Sequence, residues 1–365
     1  MGEAISLALR EPASKVRFGQ LGALLAELTP ENLSGAVEAF EANQALLGEA
    51  ELRMVASAWA RLDAPGAFER VRDAWPQRFP RRIVLSEIVY DWALREPPAA
   101  VEAVGSLPEG DAALTEEVAR KLIEGWAQTP DFRSATDYVA GLPQGALQQG
   151  LTTLIAQQRF KLEGPAALIA WAESVREDAP RKFRLVAFRK AARTLAQVDP
   201  QAAATWIEKQ HGKDYSKGTT RIVATQWVEA DPEAAFAWLL SRPDDDERKH
   251  AVGFAFRDWL RREPQAAEAW LVGTPPGAVL DPAIDAYARS VVSKSPVKAV
   301  EWAERIEDVD LRAEVLTAIG QKWFAQDPAA TGAWLARAGL SVEIAEAIQH
   351  PRPQRRAHRR PQVER

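Results

Sequence analysis

The residues of this chain that could do chemistry are few. Across 365 residues there is no Cys, so disulfides, thiolate nucleophiles and sulfur-bound zinc are excluded. The four His are His211, His250, His350 and His358, and no two share the four-residue spacing, with an intervening carboxylate, of a helical metal site. One concentration of oxygen ligands stands out, the acidic run Asp244-Asp245-Asp246-Glu247 with His250 close behind. Such a run could hold a divalent cation, as the acidic motif of helical terpenoid enzymes does, and would make the chain a metal-dependent helical enzyme. Acidic residues ahead of a helix also answer its unpaired N–H groups and its dipole, and that capping role is the preferred reading. Gly141, Gly145 and Gly150 follow no strand and precede no Lys-Ser/Thr pair, so they read as a loop between helices and not as a phosphate cradle. No Ser sits in an elbow flanked by Gly on both sides. The expectation is a non-enzyme with no catalytic residue, metal or cofactor.

The elements that position these residues follow a period. Prolines recur at Pro65, Pro97, Pro130, Pro165, Pro200, Pro232, Pro264, Pro296 and Pro328, at intervals of 32, 33, 35, 35, 32, 32, 32 and 32 residues, with Pro30 one interval earlier. Most follow a short polar or acidic residue (Glu96, Thr129, Asp199, Asp231, Glu263, Ser295, Asp327), and several precede an Ala pair. This combination predicts a helix start: the side chain accepts an orphan N–H of the first turn, and proline at the first position gives up an N–H that had no partner. Tryptophan keeps the same time. Six sit six residues after a proline (Trp171, Trp206, Trp238, Trp270, Trp302, Trp334) and four sit five before it (Trp92, Trp227, Trp259, Trp323); Trp59 and Trp126 are one position off, and Trp75 lies outside the scheme. Aromatics at a constant phase along a whole chain predict packing between helices and not ligand contacts.

Each repeat reads as two helices. Around Pro232 a first helix is predicted over about 231–241, with Ala235, Trp238 and Leu239 on one side; a second follows over about 247–262, where Val252, Ala255, Phe256, Trp259 and Leu260 form an apolar stripe. No segment alternates as a strand, so the fold class is all-α. A lone hairpin of this length cannot bury both faces, which predicts an α-solenoid of about ten stacked two-helix repeats of 32 to 35 residues. Residues 1–64 carry the code poorly and read as an atypical N-terminal helical cap, 65–340 as the repeat array, and 341–365 as a C-terminal end with a disordered basic tail. That tail holds six Arg and one Glu over residues 351–365, a charge of +5 within a chain of net −5, which leaves −10 elsewhere. No apolar run spans a bilayer and no secretory apolar core opens the chain, so a cytoplasmic protein that does not enter membranes is expected.

On these residues the chain resembles the tetratricopeptide-type helical repeats, and still more the Trp-rich, Asp-Pro-punctuated helical repeats of bacterial proteins. The six-residue step from Pro232 to Trp238 and its equivalents over residues 165–340 matches the tetratricopeptide pattern; the Leu-Gly pair expected after that Trp is replaced by Leu239-Leu240-Ser241-Arg242, and the repeat is 32 residues long. The resemblance implies a scaffold that binds protein or peptide segments along a groove, without catalytic residues.

The array departs from its own rule in the middle. Two intervals stretch to 35 residues, Phe160 and Leu195 replace the Trp before the proline, and Arg176, Arg181, Lys182, Arg184, Arg189, Lys190 and Arg193 face only Glu177 and Asp178. On the second helices, the position seven before the proline holds Arg193, Thr225, Arg257, Arg289 and Gln321, and the position eleven before it holds Arg189, Arg221, Gly253, Asp285 and Thr317. Positions four apart share a helix face, which makes Arg184, Arg189, Lys190, Arg193, Arg221, Arg257 and Arg289 the candidate partner-binding residues, a basic ladder in an acidic chain. The expected partner is an acidic or polar protein or peptide segment, because the acidic body disfavours nucleic acid. A purely structural spacer is the remaining alternative.

Overall fold

The structure, a computed structural model, describes residues 1–75, 78–108 and 110–350, without the side chains of 78, 79 and 176–178. The basic tail 351–365 and the side chain of Arg176 lie outside the described residues. Among those residues every regular element is a helix, with no strand. The chain forms two compact bodies, Met1–Thr194 and Leu195–Arg365. The first holds α1 (Gly2–Leu9), α2 (Ser14–Ala26), α3 (Leu33–Ala42), α4 (Glu49–Ala74), α5 (Arg78–Ala93), α6 (Pro97–Gly105), α7 (Ala112–Trp126), α8 (Phe132–Gly141), α9 (Ala146–Asp178) and most of α10 (Arg181–Ala196). The second holds α11 (Pro200–Lys209), α12 (Thr219–Ala230), α13 (Pro232–Ser241), α14 (Asp246–Arg262), α15 (Pro264–Gly273), α16 (Asp281–Val291), α17 (Pro296–Ala303), α18 (Val309–Gln326), α19 (Pro328–Leu335) and α20 (Val342–Gln349).

The proline code marks helix starts with two exceptions, Pro130 and Pro30. Asp199, Asp231 and Asp327 each accept the N–H three residues on, from Ala202 at 2.8 Å, Ala234 at 3.0 Å and Ala330 at 2.9 Å. Glu96, Glu263 and Ser295 occupy the same cap position without a side-chain bond; glutamate is a poorer cap than aspartate because its carboxylate sits one methylene farther out. Pro130 does not open α8. It precedes the cap Asp131, whose carboxylate accepts from Ser134 N at 3.3 Å. Pro30 likewise lies ahead of α3, whose cap position is Asn32. The long helices α4 and α9 are each two helices run together. α4 breaks at Asp63, whose φ/ψ of −152°/78° leaves the helical region while its carboxylate caps Gly66 N at 2.9 Å. α9 breaks at Gly164, whose φ of 81° is a conformation glycine reaches without strain, immediately before Pro165.

Tryptophan's two positions meet each other. The rings of Trp227 and Trp238, Trp259 and Trp270, and Trp323 and Trp334 lie 5.7, 5.8 and 5.7 Å apart, each pair eleven residues apart in sequence. One ring comes from the last turn of a second helix and the other from the first helix that follows, so the Asp/Glu-Pro corner between them folds the pair together. Where the earlier Trp is absent before α17, Tyr287 packs on Trp302 at 5.1 Å. Phe236 extends the cluster, 4.4 Å from Trp270 and 5.7 Å from Trp259. Trp227 and Trp270 remain half-buried, whereas Trp238, Trp259, Trp323 and Trp334 are buried.

The indole N–H groups then tie repeats together. Trp238 Nε1 donates to Glu208 on α11 at 2.7 Å, and Trp171 Nε1 to Thr136 on α8 at 3.0 Å. Trp75, outside the code, does the same from the end of α4 to Glu41 on α3 at 3.3 Å, beside the bond from Arg70 at 2.7 Å. Second helices pack on second helices: α4 on α5, α5 on α7 and α7 on α9 in the first body; α12 on α14, α14 on α16, α16 on α18 and α18 on α20 in the second. Their C-terminal carbonyls are met by arginines of the next repeat, Arg61 on Leu25 O at 3.2 Å, Arg95 on Arg61 O at 2.9 Å and Arg262 on Val228 O at 2.8 Å. At α18 the approach is close enough to require glycine, since a Cβ on Gly320 would lie 2.6 Å from Ile348 of α20.

Replacing Trp238 by Ala removes a buried ring and its bond to Glu208, and should cost about 3–5 kcal/mol in denaturant unfolding. Trp238→Phe keeps most of the packing and should cost about 1–2 kcal/mol. Equal losses for the two would show that the hydrogen bond, and not the ring, holds the joint.

Candidate partner-binding surface

The acidic turn is committed to the fold. Asp245 caps α14 by accepting Arg248 N at 2.7 Å, and its other oxygen lies 3.3 Å from His211 Nε2. Asp244 is paired with the buried Arg248, which also donates to Arg242 O at 3.0 Å. Glu247 reaches across to the start of α12, accepting Gly218 N at 2.9 Å and Thr220 N at 3.3 Å. His250 turns back onto Asp246 O at 2.6 Å. Thus Asp244, Asp245 and Glu247 point to different tasks, and among the described residues no three His, Asp or Glu converge on a point where a metal could sit.

Asp281 has the equivalent role at the joint of α16 with α18. It is buried at the start of α16 and accepts Glu307 N at 2.9 Å and Asp308 N at 2.8 Å, fixing the entry to α18. A carboxylate that accepts two backbone N–H groups at a helix entrance satisfies donors that the helix itself leaves unpaired.

The basic ladder divides into groups with different fates. Arg184, Arg189, Lys190 and Arg193 lie on α10. Arg184 and Arg189 are engaged by other groups, Arg193 is exposed, and the Lys190 ammonium is held below the usual lysine range by burial and by the charge of Arg193. Arg289 on α16 is neutralised by Asp285, four residues back, and by Glu314 on α18 at 3.0 Å. Arg221 on α12 and Arg257 on α14 are the two that the fold brings together. Their guanidinium carbons lie over the ring of Phe254, 4.9 Å and 5.2 Å from its centre, and Phe254 itself is 43% exposed. Phe254 is absent from the basic ladder as the sequence defines it. It had a signal: it falls outside the apolar stripe Val252, Ala255, Phe256, Trp259, Leu260, at a phase that holds buried Ile222 and Ala286 on the helices beside it.

Two of the clefts among the described residues of the first body contain paired arginines. One of about 300 Å³ lies between α8 and the two arms of α9, lined by Phe132, Thr136, Asp137, Arg159 and Trp171 among others. Its arginines are matched by acids, Arg133 with Asp137 at 3.9 Å and Arg159 with Glu163, so it carries no net charge to attract an ion. The other, of about 460 Å³ between α2, α4 and α5, is lined by Arg53, Ser57, Arg61 and Glu87. Arg53 is spanned by Glu49 at 2.9 Å and Glu87 at 2.8 Å. One turn after Glu87, Asp91 has a carboxyl pushed above the ordinary aspartate range by burial, which outweighs the opposing pull of Ser57, Arg95 and Arg61.

No family model, no curated protein and no solved structure matches this chain. Among the described residues, no helix is long and apolar enough to cross a membrane.

Two measurements check these assignments. Glu247→Ala should cost about 1–2 kcal/mol because α12 loses the acceptor at its start, whereas Asp246→Asn should stay within about 0.5 kcal/mol. Asp91, raised in the folded chain, binds its proton more tightly there than when unfolded, so its ionisation opposes folding once the pH passes the unfolded value. Asp91→Asn should therefore raise the melting temperature at pH 7, and the gain should vanish below the ordinary aspartate value of 3.8. A gain that persisted at low pH would assign the effect to packing.

Proposed function

We propose that this chain is a non-enzymatic scaffold, a tetratricopeptide-like α-solenoid of about ten two-helix repeats, that binds an acidic or polar protein segment on its second-helix surface. The series of second helices α4, α5, α7 and α9 in the first body and α12, α14, α16, α18 and α20 in the second supports the solenoid, as do the aromatic corners Trp227–Trp238, Trp259–Trp270 and Trp323–Trp334. The observation that carries the binding role is the division of labour among the polar groups of the second body. Asp245, Glu247, Asp281, Arg248 and Arg262 are spent on helix ends and joints, and Arg289 on an ion pair. Arg221 and Arg257 face solvent around an aromatic ring instead. Exposed Arg beside an aromatic is the composition of a contact surface, and an acidic chain that keeps such a patch gains complementarity toward negative partners.

The test is a selection of random peptides displayed on phage against the full chain, followed by titration of the enriched peptides by fluorescence anisotropy. Enrichment of acidic sequences is expected. Arg221→Glu together with Arg257→Glu should weaken them at least about tenfold, equal to about 1.4 kcal/mol. Enriched peptides that bind the double variant unchanged would remove the basic surface from the proposal; no enrichment at all would favour the structural spacer. Heat on titration with millimolar magnesium, manganese or calcium would revive the metal-dependent enzyme.

A further inference from the structure

Resting on the scaffold reading, we infer that Arg221, Phe254 and Arg257 form a single clamp for an acidic segment in which carboxylates flank an apolar side chain. The three residues come from two neighbouring helices, α12 and α14, so the clamp exists only because those helices pack side by side. Two guanidinium groups within 6 Å of one ring repel each other, and a cation over an exposed ring gains little, on the order of 0.5–1 kcal/mol. Neighbouring arginines of the same body are relieved of this kind of tension by an acid: Arg248 by Asp244, Arg261 and Arg262 by Asp258, and Arg289 by Asp285 and Glu314. At the clamp, the relief must come from outside, and the planar fork of each guanidinium fits a carboxylate in a two-point bond.

The ring explains the apolar component. Phe254 is exposed by 43% at a phase where the helices on either side bury Ile222 and Ala286, and its exposed remainder offers a contact between the two charges. The register supports a short linear motif. Phe254 and Arg257 are three residues apart on one helix, and so share a face, while Arg221 approaches the same ring from the adjacent helix. A nucleic acid is disfavoured because the guanidinium groups already lie over the ring that a base would stack on, and because residues 1–350 carry a net charge of −10. The neighbouring joints do not repeat the site: the position of Arg221 is taken on α14 by Gly253, where a Cβ would come within 3.2 Å of Pro282, and the position of Phe254 is taken on α16 by Ala286. The α14–α16 joint therefore lacks the clamp, and Arg221, Phe254 and Arg257 set the register of whatever binds them.

The experiment uses the full chain and a fluorescein-labelled synthetic peptide in which pairs of glutamates alternate with single leucines. Its controls are a glutamate-only peptide, the same peptide with lysine for glutamate, and an oligothymidylate of matched length. The alternating peptide should bind in low salt, more tightly than the glutamate-only peptide. Phe254→Ala and the pair Arg221→Gln with Arg257→Gln should each weaken it at least about tenfold, with melting temperatures within a few degrees of the parent because all three side chains are on the surface. Arg257→Lys, which keeps the charge and loses the fork, should fall between parent and Gln variant; if a Gln variant unfolds, this one carries the comparison. Equal affinity of the parent and the variants overturns the clamp, as does tighter binding of the oligothymidylate or equal binding of the glutamate-only peptide. Display-selected peptides that still bind the clamp variants would sink this site alone and leave the scaffold standing; absence of any peptide binding sinks both.

Discussion

The contact on which the rest of this structure depends is the pair of rings folded across an Asp-Pro or Glu-Pro corner. Proline sets the first backbone angle of the incoming helix, the acid ahead of it accepts an N–H where it is an aspartate, and the backbone N–H of that residue closes on the carbonyl of the preceding Trp, as from Asp231 to Trp227 and from Asp327 to Trp323 at 2.8 Å. The corner therefore has a defined angle, and the two indoles fill it. Each ring pair contributes on the order of 0.5–1.5 kcal/mol beyond the area it buries, and it recurs at three corners of the second body with ring distances of 5.7, 5.8 and 5.7 Å.

Once the corners are set, the polar residues have little freedom. Helices of 8 to 18 residues expose many unpaired ends, and the chain meets them by reaching from one repeat to the next: Glu247 to the start of α12, Asp281 to the entry of α18, Arg262 and Arg95 to the carbonyl ends of the preceding second helices. Each such bond satisfies a buried or half-buried backbone group whose neglect would cost roughly 1–3 kcal/mol. This is why Asp244, Asp245 and Glu247 of the acidic run each serve a separate joint. Its members are adjacent in sequence but are pulled apart by a helix start that sends their side chains toward Arg248, His211 and Gly218.

What escapes this use is informative. The exposed pair Arg221 and Arg257 around Phe254 performs none of the joining tasks, and it stands on the surface where second helices lie side by side. Arg289, at the phase of Arg257 one repeat on, shows the alternative, since Asp285 and Glu314 quench it. A ladder of like residues at one sequence phase is therefore not a ladder of like surfaces; the acids supplied by the neighbouring helix decide which rungs remain positive.

The amino-acid sequence by itself determined the all-helical class, the 32-residue repeat, the Asp caps at Asp199, Asp231 and Asp327, and the burial of most of the tryptophans, because these follow from local rules: caps, proline geometry and the 3.6-residue period. It placed the start of α8 two residues too early, at Pro130 and not Phe132, because it is the Asp131 carboxylate, and not the Thr129 hydroxyl, that accepts an N–H of the first turn. Only the tertiary structure decided the pairing of the two Trp positions with each other, the role of Trp75 in closing on Glu41, and the use of Glu247 across helices. It alone showed the meeting of Arg221 with Arg257 over Phe254. Those are contacts between residues eleven to thirty-six positions apart, whose distance depends on how neighbouring helices pack, a quantity that no single helix carries in its own residues.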